Sequence, residues 1–179
     1  MGFFTSNVVS LNGIKLKLGF KMLEKEKIRS AILQELEQQL EVMSKSVSAA
    51  QEATTHSESK SEGKYDTRAI ESGYLAGAQG ARLQSLKSKV ALCKKMSFRD
   101  FKESDEIGVT ALVETKVDTL DLSTWYFLLS HVGGFSITGD GIQISVITTD
   151  SVAGLELVSL QVGDNFSFGN KSGTIKSIF

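Results

Sequence analysis

Thr54-Thr55-His56-Ser57-Glu58-Ser59-Lys60-Ser61-Glu62-Gly63-Lys64-Tyr65-Asp66 is a polar run set between two apolar repeats. Before it, Leu33, Leu36, Leu40, Met43, Val47 and Ala50 recur at steps of three and four; after it, Leu83, Leu86, Val90 and Cys93 keep the same rhythm. That spacing holds one stripe of a helix against a partner, so the two segments read as an antiparallel helical hairpin of coiled-coil type. The polar run is then its bend. The first arm is expected from Met22 to about Thr55, roughly 50 Å at 1.5 Å per residue. Residues 1–21 show no sustained period and read as an N-terminal extension, leaving a hairpin over 22–98 with an acidic tip at 56–66.

Toward the bend the apolar residues shrink. Ala49, Ala50 and Ala53 end the first arm, and Ala69, Gly73, Ala76, Gly77, Ala78 and Gly80 begin the second. Small residues on both sides predict a close approach of the two backbones there. Charge is also sorted between the arms. Glu24, Glu26, Glu35, Glu37, Glu41 and Glu52 mark the first, whereas Ser72 to Arg99 contains no acid but carries Arg82, Lys87, Lys89, Lys94, Lys95 and Arg99. Interhelical charge pairing is the expected use of this asymmetry.

After Phe98-Arg99-Asp100-Phe101 the pattern changes to strands. Ile107, Val109, Ala111 and Val113 alternate with Gly108, Thr110, Leu112 and Glu114, which predicts a half-buried strand. Trp125 to Leu129 reads as a central strand, and Thr138-Gly139-Asp140-Gly141 as a hairpin turn. Ser151 is placed to cap a short helix through Val158. Gly163-Asp164 and Gly173 are expected to turn the chain into the last two strands. The fold class is therefore α+β: a helical hairpin, then a small, mainly antiparallel β domain over 103–179 with one short helix.

Composition excludes several classes. The formal net charge is −1 over 179 residues, which argues against a general nucleic-acid binder or sequence-specific DNA reader. Cys93 is the only cysteine, so an intrachain disulfide is impossible and a reduced, cytoplasmic setting is expected. With one Cys and two His, a structural zinc site is ruled out. No apolar run reaches membrane-spanning length. Neither a phosphate loop nor a nucleophilic triad is readable.

The chemistry-bearing residues left are the acids at the bend. Glu58, Glu62 and Asp66 are spaced by four and offer hard oxygen ligands to a magnesium ion, which takes only one or two protein carboxylates and keeps other ligands. A hairpin end alone would bind it weakly, so a second macromolecule has to supply the rest. His56, just before them, is a solvated helix-end histidine or a proton carrier.

Two stretches make the chain resemble the Gre family of bacterial transcript cleavage and elongation factors. Tyr65-Asp66, Glu71, Gly73, Tyr74, Leu75 and Gly77 are similar to the segment after the family's coiled-coil tip. Ser151-Val152-Ala153-Gly154, Leu157-Val158 and Val162-Gly163-Asp164 are similar to its C-terminal Ser-Pro-x-Gly…Val-Gly-Asp segment. The resemblance implies an FKBP-like C-terminal domain docked at the rim of the RNA polymerase secondary channel. It also implies a coiled coil whose tip carboxylates share Mg2+ with the polymerase active site, beside the nascent RNA 3′ end. On that basis Glu58 and Glu62 are the expected catalytic and metal residues, and Asp150, Ser151 and Val152 the expected partner-binding residues. The protein is then at most an auxiliary factor lending carboxylates in trans. Ser61 stands in the place of the family's second tip acid, with Glu62 one step later, and Val152 in the place of its proline. A non-catalytic channel regulator is the alternative, and a prolyl isomerase or chaperone a further one, for which Trp125, Tyr126, Phe127, Phe135, Phe166 and Phe168 would have to line a peptide pocket.

Overall fold

A computed structural model describes the backbone of residues 8–58, 67–118, 123–139 and 141–179, and the side chains of 25–52, 73–118, 123–139 and 141–179. Two long helices come first, α1 (Val8–Glu58) and α2 (Thr67–Lys94). The strands β1 (Leu112–Val117), β2 (Ser123–Leu129), β3 (Phe135–Gly139) and β4 (Ile142–Thr148) follow, then a short helix α3 (Val152–Leu157), β5 (Asn165–Phe168) and β6 (Lys171–Ile178). The chain is thus α+β. Helix α1 begins at Val8, ahead of the Met22 expected from periodicity. With no proline in the chain, nothing sterically breaks the helix on that side.

The chain divides into two compact units, one formed by Ile32–Met96 and the other by the chain up to Ala31 together with Ser97–Phe179. Within the helical unit Leu36, Val47, Leu86, Val90 and Cys93 of the expected stripe are buried, but at its start Ile32 is buried in place of Leu33, which is half-buried like Leu40 and Met43. Lys94 in the last turn of α2 pairs with Glu37 of α1 at 2.9 Å. Glu41 is instead held by Lys45 of its own helix at 2.7 Å, so acids of α1 pair along the helix as well as across. The small residues also behave differently from expectation. Gly73, Gly77 and Gly80 are exposed, and a Cβ added at any of them would meet none of the described atoms. The 83, 86, 90, 93 stripe extends back through half-buried Gln79 and Ala76, which leaves the three glycines on the solvent face.

In the other unit the sheet order is β3-β4-β2-β1-β6-β5. It is mixed rather than wholly antiparallel, because β2 and β4 run parallel, with Leu129 opposite Thr148. The cause is topological. The β2–β3 connection skips one sheet position, and the two-residue turn after Gly139 sends β4 back into the gap, beside β2 and antiparallel to β3. Gly141 takes φ 79°, the left-handed conformation that such hairpin turns require. As expected, β2 is central.

Alternation along the strands builds two buried faces. One collects Val113, Tyr126, Leu128, Phe166 and Ile175 with Leu157 of α3. The other carries Leu112, Phe127 and Val146, all buried, with Phe98 set edge-on against Phe127 at 6.3 Å between centroids. The six aromatics proposed for a peptide pocket are therefore split. Tyr126 and Phe168 pack together on one face, whereas Phe127 lies on the other and Trp125 stacks on Phe179.

The first strand starts later than its alternation suggests. Thr110 has φ 69°, its N–H donates to Leu128 O at 2.7 Å, and its Oγ1 accepts from Arg99 N at 3.1 Å. That left-handed residue ends the apparent 107–114 repeat and anchors the segment entering the sheet. Phe101 beside it is buried, with Lys25 Nζ 5.0 Å and Arg99 Cζ 4.8 Å from its ring centre. Gly173 is likewise inside β6 rather than at a turn; a Cβ there would overlap the Lys116 carbonyl oxygen. The turn belongs to Gly169, at φ 56°.

Candidate functional site

The acidic tip is reached by α1, whose last helical residue is Glu58. The side chains of His56 and Glu58 lie outside the described residues, as do Glu62 and Asp66. Among the described residues no group of three or more His, Cys, Asp or Glu is placed to hold a metal ion. No helix among them is long and apolar enough to cross a membrane.

The second site, Asp150-Ser151-Val152, is fully described. Ser151 is the N-cap of α3, with extended backbone at φ −71° and ψ 160°. Its Oγ accepts from Gly154 N at 3.1 Å and donates to Thr148 O at 2.6 Å, so one hydroxyl satisfies a helix-start N–H and ties the helix to the end of β4. Gly154 completes the junction: it is buried, and a side chain there would overlap the Thr148 carbonyl oxygen. Leu157 anchors the other end of the helix in the core.

With Gly154 and Leu157 turned inward and Ala153 half-buried, Val152, Leu155 and Glu156 face solvent. Val152 is 74% exposed and Leu155 70%, large apolar side chains held outward by a pinned backbone. Asp150 precedes them on the surface. A hydrogen bond with the Thr148 side chain and another with its own backbone outweigh the effect of burial and keep its carboxyl below the ordinary 3.8, with nearby His131 contributing least. An acidic side chain thus precedes two outward aliphatic side chains on the surface of α3. Asp150, Ser151 and Val152 are therefore brought together, with Ser151 as the support. Leu155 and His131 were not marked by the sequence motif; the helical step of three from Val152 is the signal for the first, and the parallel pairing that places the second has none.

No family model matches the chain, and no curated protein does. Solved structures similar to it include the crystal structure of GreA factor homolog 1 (Gfh1) of Thermus thermophilus, at 18% identity and TM-score 0.36, covering 83% of this chain and 95% of that one; a structure of the transcription factor Gfh1, at 18% and 0.35, covering 83% and 93%; and Thermus aquaticus Gfh1, at 17% and 0.34, covering 83% and 94%.

Proposed function

We propose that this chain is a Gre-like transcription factor that binds bacterial RNA polymerase at the secondary channel, in the cytoplasm. The observation that supports docking most directly is the Ser151-capped α3, which holds Asp150 and Val152 at the surface within the Gre-like motif. The Glu37–Lys94 pair and the buried stripe on α1 and α2 support an antiparallel coiled-coil hairpin as the arm that enters the channel. In this reading the β domain, FKBP-like in type, carries the docking surface. Glu58 and Glu62 lend carboxylate oxygens to the Mg2+ of the polymerase, whose chemistry is activation of water and stabilisation of charge at the scissile phosphate of backtracked RNA. Purified polymerase halted in a backtracked complex tests this. Wild-type protein should speed RNA shortening, and Glu58→Gln should abolish that gain while binding is retained. Unchanged cleavage by the variant would overturn the assignment of Glu58.

A second reading is favoured by Ser61, which supplies no carboxylate where the family has one. The chain is then a non-catalytic channel regulator. It would bind with the same docking surface and slow nucleotide addition, with no RNA shortening at any concentration.

A further inference from the structure

His131 and Asp150 leave the sheet side by side. β2 and β4 are parallel with Leu129 opposite Thr148, and Thr149 N donates to Leu129 O at 2.9 Å, closing the ladder at the last residue of β2. The chain beyond that point emerges from the same end of the sheet on each strand, as His131 and as Asp150. Gly133 then presses on β4, since a Cβ there would sit 2.8 Å from Ile147 C and Thr148 N, and Gly134 N donates to Val146 O at 2.9 Å. The β2–β3 loop is thereby seated on β4, and exposed His131 stays at the corner. On the other side of Asp150, Val152 and Leu155 share one face of α3, three residues apart.

These observations place an imidazole near an acid, and two outward aliphatic side chains on the helix that follows that acid. Charge complementarity calls for a basic side chain whose hydrocarbon stem lies along the aliphatic pair. We propose that the polymerase-docking surface extends beyond Asp150-Ser151-Val152 to Leu155 and His131, and that it takes a polymerase segment presenting a Lys or Arg. The proposal rests on the polymerase-binding reading above. Leu155 acts there through direct contact, and His131 borders the acid that receives the cation.

The test is a titration of labelled full-length protein with bacterial RNA polymerase core enzyme, at low and at high salt. Leu155→Ser should weaken binding about tenfold at both, as loss of a buried aliphatic contact does. Leu155→Met should bind like wild type. His131→Lys, a fixed cation beside Asp150, should weaken binding several-fold at low salt, an effect that shrinks at high salt. Unchanged thermal melting of both weakening variants excludes misfolding, and Leu155→Gln serves in place of Leu155→Ser if that variant melts early. If Asp150→Asn and Val152→Ser weaken binding while the Leu155 and His131 variants do not, the surface ends at Val152 and the extension is overturned, with the polymerase reading intact. If wild-type protein fails to bind polymerase at all, both fall.

Discussion

Replacing Glu114 with glutamine keeps the side chain's shape and removes its charge at a point where three strands meet. Glu114 lies in β1 opposite Trp125 of β2 and Ser177 of β6. Its Oε1 accepts from Ser123 Oγ at 2.7 Å and from Lys176 Nζ at 2.8 Å, and its Oε2 from Ser177 Oγ at 2.7 Å. A bulge in the β1–β6 pairing makes this possible by setting both Lys176 and Ser177 against the one carboxylate. The side chain is 13% exposed, whereas Lys176 is 56% exposed, so screening limits the ion pair to about 1 kcal/mol or less. Hydrogen bonds to a charged group are worth about 1.5–3 kcal/mol each, and glutamine keeps one accepting oxygen. A loss of about 2 kcal/mol at neutral pH is therefore expected. Burial pushes the Glu114 carboxyl up, but hydrogen bonds from Lys176, Ser123 and Ser177, with the charge of Lys176, outweigh it and leave the group below its ordinary 4.5. A lowered carboxyl stabilises the fold above its unfolded value, and that contribution is lost as pH falls through the folded one. Urea unfolding followed by fluorescence of Trp125, the only tryptophan, should show the variant weaker at neutral pH, with the gap closing below about pH 4. Equal midpoints at neutral pH, or a gap that persists undiminished at about pH 2, would refute the assignment.

Gly154→Ala should cost more than about 2 kcal/mol, because its Cβ meets the backbone carbonyl of Thr148 rather than a side chain that can move; urea unfolding measures the loss, and on the proposed docking reading polymerase binding should fall with it. Ser151→Ala removes the cap of α3 and should cost about 1 kcal/mol in urea unfolding; the proposed docking reading adds weaker polymerase binding in the same titration. Gly80→Ala on the exposed face of α2 should raise stability by about 0.5–1 kcal/mol in thermal melting; a loss would show that this face is packed. Lys94→Ala should change stability by less than about 1 kcal/mol, since both partners of the Glu37 pair are more than half exposed.

Local chemistry was legible in the sequence and non-local pairing was not. Ser151 as a helix cap, Thr138 to Gly141 as a hairpin turn and the buried stripe through Leu86, Val90 and Cys93 each follow from a few neighbouring residues, and each is present in the structure. The β1 boundary was misplaced because Thr110 looks like a strand residue; its left-handed backbone is fixed by Leu128 and Arg99, which are distant in sequence. Gly173 looks like a turn for the same reason, since the Lys116 carbonyl that demands a glycine belongs to another strand. The insertion of β4 between β3 and β2 left no local trace, and with it went the chance to place His131 beside Asp150. At the tip, Glu58 and Glu62 rest on spacing and on the family resemblance.

The β1–β6 ladder has a consequence for how the protein is made. β1 has only β2 beside it until Lys171–Ile178 has left the ribosome, so the nascent sheet presents an unpaired edge throughout translation of the intervening strands. Chains truncated before β6 should be recovered bound to chaperones or as inclusion bodies, while their helical arms are already formed.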